Sequence, residues 1–206
     1  RQFADLAQEL SFIPSRFASL RDYNRANLET ILGEGMQHAS RRDVSWFSHC
    51  AFINRGDHFE ALVLPPAAQF SPGFGIAVGD VDLDGHEDLF LAQNFFPVQP
   101  YATRLDAGRG LWLKGMGDGT FEPVSSKRSG ITIYGEQRGA ALGDFDQDGR
   151  IDLVVTQNGA STKLYRNQVD RLGMRIILVG DSRNPDAIGA SVRVRYGVEL
   201  GPAKAV

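Results

Sequence analysis

Apolar and polar positions alternate in short runs along most of this chain, and Gly, Asp and Pro punctuate the runs. Short apolar or β-branched runs bounded in this way predict strands, and the punctuation predicts tight antiparallel connections between them. Four such strands are sharply bounded: Ile76–Gly79, Leu89–Gln93, Leu111–Lys114 and Phe121–Val124. The first 43 residues follow another rhythm. Leu20, Tyr23, Asn27, Leu28, Ile31 and Leu32 fall on one helical face, Ser19 is placed to cap it, and Gly33 and Gly35 suit its end. That pattern predicts a helix over Ser19–Leu32, with a weaker helical stretch at Ala4–Leu10 and arginines forming a solvated face. Near the other end, Met174–Gly180 reads as a strand, Asp181–Asp186 as a turn and Ser191–Tyr196 as an alternating strand.

The strands belong to a repeat. Residues 75–94 (GIAVGDVDLDGHEDLFLAQN) align without a gap on residues 139–158 (GAALGDFDQDGRIDLVVTQN), and 11 of 20 positions are identical. A second recurring element links Phe52–Glu60 with Leu113–Glu122 around a Gly-Asp turn, and Leu164-Tyr165-Arg166-Asn167 looks like a third start of it. Each unit therefore runs strand, Asp-rich loop, strand, linker, strand, Gly-Asp turn, strand. Four-stranded repeats of this kind suggest propeller blades, and three partial copies fall short of the usual 4–8, so the chain reads as part of an incomplete propeller. The fold class expected is all-β, β-propeller-type, with an N-terminal helical segment at 1–43.

The two Asp-rich loops carry the chemistry. Asp80, Asp82, Asp84 and Asp88 in the first, and Asp144, Asp146, Asp148 and Asp152 in the second, both spell DxDxDGxxD. Alternate aspartates in a tight loop turn several carboxylates toward one centre, and the glycine at position six permits the bend that returns position nine. Position seven, His86 or Arg150, would offer its backbone carbonyl with the side chain facing away. Four carboxylates repel one another without a counter-ion. A hard cation with 6–8 oxygen ligands fits this set, so two Ca²⁺ sites are expected, and Mg²⁺ suits the loops less well. An EF-hand would need an acid at position twelve, which is Leu91 or Val155 here. Asp57 and Asp118 sit in Gly-Asp turns, where hairpin chemistry accounts for them.

With these motifs in view, the sequence resembles the FG-GAP/VCBS repeat proteins of the ASPIC/UnbV (cartilage-acidic-protein-like) family. The resemblance lies in Phe74–Asp80, in both DxDxDGxxDL loops, in Gly117-Asp118-Gly119-Thr120-Phe121, and in Val179–Ala190, which looks like the opening of an ASPIC/UnbV domain. It implies repeat blades with an integrin-α-like build over 44–178, an ASPIC/UnbV-like start over 179–206, structural calcium on the eight aspartates, and export from the cell. Secreted, cell-surface or periplasmic placement follows from it.

Composition then narrows the function. The chain has 206 residues and a formal net charge of −3. Residues 80–88 hold −5 and residues 144–152 hold −3, leaving +5 on the remainder. The acidity is thus concentrated in the loops, and nothing argues for a nucleic-acid surface. No run approaches the roughly 18 apolar residues of a membrane span. Cys50 is the only cysteine, which excludes an intrachain disulfide and reads as a small buried hydrophobe. His38, His49, His58 and His86 share no metal-ligand spacing, and no nucleophile–base pair stands out, so no catalytic residue is assigned. The expected role is a calcium-stabilised module for binding a protein or glycan partner. Two alternatives stay open: part of a carbohydrate-active enzyme resembling polysaccharide lyases, or an assembly subunit that self-associates through open blade edges. The linker Phe95–Gly110, rich in aromatics and arginine, reads either as a recognition loop or as packing against neighbouring elements.

Overall fold

In the computed structural model, all residues are described except 1–3, 5, 6, 9, 99–101, 172, 175, 202 and 206. Two compact units emerge, Arg1–Phe47 and Ser48–Val206. The smaller is helical. Helix α1 (Ile13–Arg16) is followed by α2 (Leu20–Arg25), α3 (Leu28–Leu32) and a 3₁₀ turn at Gly33–His38. Ser19 caps α2 as expected, its side chain accepting from the Asp22 N–H at 3.2 Å. The single helix expected over Ser19–Leu32 is broken, however. Asn27 leaves the helical path and accepts from the Thr30 N–H at 2.8 Å, becoming a second N-cap, while Ala26 is extended. Asparagine bonds backbone groups locally in competition with the helix, and here the cap wins. Ala4, Ala7 and Gln8 are helical; the other residues of the predicted early stretch up to Glu9 lie outside the described ones. Arg21 and Arg25 are exposed, but Arg16 departs from a purely solvated face, donating to the Ile31 carbonyl at 2.7 Å.

The larger unit is antiparallel β-structure. Hairpin β1–β2 (Cys50–Asn54, Phe59–Val63) leads through the short helix α4 (Pro66–Gln69) into a four-stranded sheet in the order β3-β4-β5-β6. Those strands, Gly73–Gly79, Asp88–Gln93, Leu111–Gly115 and Phe121–Val124, agree with the four read from the sequence. Helix α5 (Ser126–Ser129) precedes a three-stranded sheet, β7-β8-β9 (Glu136–Gly143, Asp152–Asn158, Ala160–Tyr165). No sheet among the described residues closes on itself. No described helix is long and apolar enough to cross a membrane.

Strand β4 shows how the layers are held. Phe90 and Ala92 face one way, packing with Ala77, Ile131, Ile133, Leu153 and Val155 beside Trp112 and Tyr165. Leu91 faces the other way, against Leu64, Ala68 and Leu113 beneath the β1–β2 hairpin. The four-stranded sheet is thus covered on both faces, and each fully buried Leu or Phe there stabilises the fold by about 1.5–3 kcal/mol. Strands β3 and β7 meet backbone to backbone at Gly75, where an added Cβ would lie 2.8 Å from the Ala140 nitrogen. Both strands are bulged at this level, skipping Phe74 and Arg138, and the Arg138 guanidinium lies 4.0 Å from the Phe74 ring centre.

Two expectations for the tail are corrected. The described residues of Met174–Gly180 form no ladder, and Met174, Ile177 and Val179 are exposed. An apolar run becomes a strand only where a neighbouring strand supplies hydrogen bonds, and no strand pairs with the described residues of this one. Ser191–Tyr196 splits into β10 (Ser191–Val192) and β11 (Arg195–Tyr196), which pair separately with β13 (Lys204–Ala205) and β12 (Glu199–Leu200). The turn expected at Asp181–Asp186 forms, with Asp181 accepting from the Arg183 and Asn184 amides at 2.8 and 3.1 Å. Cys50 is half-buried rather than a core residue.

Candidate metal loops

The Asp-rich loops join β3 to β4 and β7 to β8, and the backbone amides held by their first and ninth residues are equivalent in both. Asp80 accepts the Asp84 and Gly85 amides at 3.0 Å each, and Asp144 accepts those of Asp148 and Gly149 at the same distances. The ninth residue opens the returning strand. Asp88 holds the Val81 amide at 3.1 Å and the Gly115 amide at 2.9 Å; Asp152 holds Phe145 at 3.0 Å and Asn167 at 2.8 Å. A left-handed residue at position four, Leu83 (φ 58°) or Gln147 (φ 61°), and the glycine at position six complete each bend. Leucine and glutamine there gave no sequence signal for positive φ.

Carboxylate oxygens of Asp80, Asp82 and Asp84 lie within 4.8 Å of one another, as do those of Asp144, Asp146 and Asp152. Asp88 and Asp148 stand outside these sets; Asp148 is held by two guanidinium groups, while Asp88 accepts amides equivalent to those held by its counterpart Asp152. Asp82 Oδ1 is buried with no hydrogen-bond partner. An orphaned buried oxygen beside two more carboxylates is what a hard oxygen-seeking cation would satisfy, so the residues present fit such an ion. Burial pushes the Asp80 and Asp88 carboxyls above their usual range despite the amides they accept. Burial also works against Asp84, but Lys114 and the His86 amide outweigh it and hold that carboxyl low.

Two basic residues reach the loops, Lys114 within β5 and Arg166 one residue past β9. Lys114 Nζ donates to both Asp82 and Asp84. Arg166 reaches Asp146 at 2.5 Å and Asp148 at 3.1 Å. Their positions are equivalent: Leu89 pairs with Leu113 and Leu153 with Tyr165, one residue before each cation. Sequence reading passed over both, because Lys114 and Arg166 come into register only when each third strand is paired with its second. At position seven the loops differ. The His86 ring lies against Gly117. Arg150 does not face away; it turns onto Asp148 at 2.7 Å and also donates to the Val169 carbonyl at 2.8 Å. The Asp148 carboxylate, two residues away, holds the guanidinium through a charge-assisted hydrogen bond.

The chain after β9 touches both loops. Asn167 Nδ2 donates to the Val81 carbonyl at 2.8 Å and to the Ile151 carbonyl at 3.1 Å, and Arg171 donates to the Leu83 carbonyl at 3.0 Å. Beyond the loops, Asp118 accepts the Thr120 amide and hydroxyl at 2.8 and 2.6 Å, which is a turn-closing role. The linker after β4 is anchored on β7. Phe95 stacks on Phe74, the Phe96 amide donates to Glu136 at 3.0 Å, and Arg104 lies over the Phe96 ring at 4.1 Å. Packing therefore accounts for the start of this linker; Tyr101 lies outside the described residues.

Cartilage acidic protein 1 of Xenopus tropicalis is 30% identical over 97 residues, which are 47% of this chain and 13% of that protein. The chain therefore spans only a small part of that relative's length. No solved structure matches the chain. Residues 101–173 match the FG-GAP-like repeat family, a stretch that takes in the second Asp-rich loop and the sheet that carries it.

Proposed function

We propose that this chain is a calcium-binding extracellular repeat module for protein or glycan interaction, with Ca²⁺ structural in both DxDxDGxxD loops. The single observation that carries the reading is the convergence, in each copy of the repeat, of three carboxylates within 4.8 Å, with Asp82 Oδ1 left buried and unpartnered in the first. Asp80, Asp82, Asp84 and Asp88, with the His86 carbonyl, would hold one ion. Asp144, Asp146, Asp148 and Asp152, with the Arg150 carbonyl, would hold the other. A divalent ion supplies the positive charge that lets these oxygens share a centre, and its binding adds to folding stability. The sheets are read as blades of an incomplete propeller, which the two-sided burial of β4 supports. On this reading residues 1–43 are a helical segment, 44–178 the blades and 179–206 the start of an ASPIC/UnbV-like region.

The FG-GAP-like match and the name of the frog relative support a secreted or cell-surface setting and a binding rather than catalytic role. The test is thermal. The melting temperature of the chain falls on addition of a chelator and recovers with excess Ca²⁺, and calorimetric titration of the stripped chain gives a binding heat. An identical melt in both conditions, with no heat, sinks the reading.

A further inference from the structure

We infer that Lys114 and Arg166 are built-in counter-ions, which hold the acidic loops in the metal-free chain and must give way when a divalent ion binds. Arg150 reinforces this in the second loop, which makes it the weaker site. The inference rests on the calcium reading above and adds to it a ranking of the two sites and the residues that set it.

Three observations carry it. First, a cation enters at the same register position of both sheets, yet as lysine in one and arginine in the other. The charge is what recurs. Second, each cation takes the second and third carboxylates of its loop: Lys114 takes Asp82 and Asp84, and Arg166 takes Asp146 and Asp148. Those are oxygens a metal would need. A tethered cation relieves like-charge repulsion, so the loop keeps its turn without metal, and the same contact competes with metal.

Third, the compensation is unequal. Counting its four aspartates and Lys114, the first loop retains a charge of −3; counting its four aspartates with Arg150 and Arg166, the second retains −2. Asp148 meets two guanidinium groups, Arg150 at 2.7 Å and Arg166 at 3.1 Å, and is missing from the converging set of its loop. Affinity of oxygen-lined calcium sites follows the charge count of their ligands, so the first loop is the tighter site.

The experiment is a calorimetric Ca²⁺ titration of the chelator-stripped whole chain, with metal-free melting curves alongside. Two steps are expected in the parent protein, the tighter lost in Asp80→Asn and the weaker in Asp144→Asn. Lys114→Met, which keeps the apolar stem, tightens the first step by about tenfold and lowers the metal-free melting temperature. Arg166→Met is the second arm; its side chain is 61% exposed, so the fold tolerates the change, and it tightens the second step. Unchanged or weaker affinity in both methionine variants, or loss of the tighter step in Asp144→Asn, overturns the inference and leaves calcium binding intact. No binding in the parent or any variant overturns the calcium reading itself.

Discussion

Asn94 is the residue whose replacement should cost the fold most for the fewest atoms removed. It ends β4 in a left-handed conformation, φ 85°, with none of its surface exposed. Its Oδ1 accepts from the Ser71 hydroxyl at 3.0 Å and the Gly108 amide at 2.8 Å, while Nδ2 donates to the Gly108 and Gly135 carbonyls at 2.9 and 3.0 Å. Asn94→Ala strands the two Gly108 groups and the Gly135 carbonyl. At about 1–3 kcal/mol for each buried group left unpaired, and about 1 kcal/mol more for alanine in a left-handed position, the loss is roughly 4–10 kcal/mol. That is a large share of the 5–15 kcal/mol typical of a domain. Asn94→Gly removes the same bonds but suits the backbone, so it should be milder by about 1 kcal/mol. Urea unfolding followed by tryptophan fluorescence measures both. If Asn94→Ala unfolds within about 1 kcal/mol of the parent, the network is not what fixes the linker, and the reasoning fails.

Two further outcomes are expected. Gly115→Ala places a Cβ 2.1 Å from the Glu87 carbonyl oxygen, inside the first loop. It should abolish calcium uptake by that loop and spare the second, which single-site titration in an Asp144→Asn or Asp80→Asn background would reveal. Glu136 provides the pH test: the Phe96 amide, aided by Asn158 and Arg138 against the effect of burial, holds its carboxyl below the ordinary 4.5. A depressed carboxylate pKa stabilises the fold above 4.5 and loses that contribution as pH falls through the folded value. Melting temperatures of the parent should therefore drop more steeply below 4.5 than those of Glu136→Gln, and parallel curves would refute the assignment.

What the sequence made legible was local. The four strands of the central sheet, the Gly-Asp turns and the paired loops all rest on neighbours a few residues apart, and a gapless duplication displayed the loops and their flanking strands twice. What stayed hidden depended on pairing across the sheet. Lys114 reads as an ordinary strand residue until β5 is laid beside β4. Arg150 seemed free to face solvent until Asp148 was found beside it. Met174–Gly180 has the apolar content of a strand, but its described residues have no strand partner. The interruption at Asn27 was local yet ambiguous, because the same residue fits a helical face and a cap, and only the competition between them decides. Phe95 and Phe96 looked fit for a partner's surface because nothing in their own stretch names Phe74, Arg138 and Glu136 as the groups that hold them.

The few residues after β9 bear on how this protein comes apart. Asn167 clasps the carbonyls of Val81 and Ile151 in one amide, and Arg171 ties Leu83 to the same segment. Loops separated by 64 positions in sequence are therefore latched by one short piece of chain. A fluctuation that frees the latch loosens both together, so their amides should exchange with solvent as one cooperative unit. A protease that cuts just beyond Tyr165 would likewise undo two acidic loops with a single cleavage.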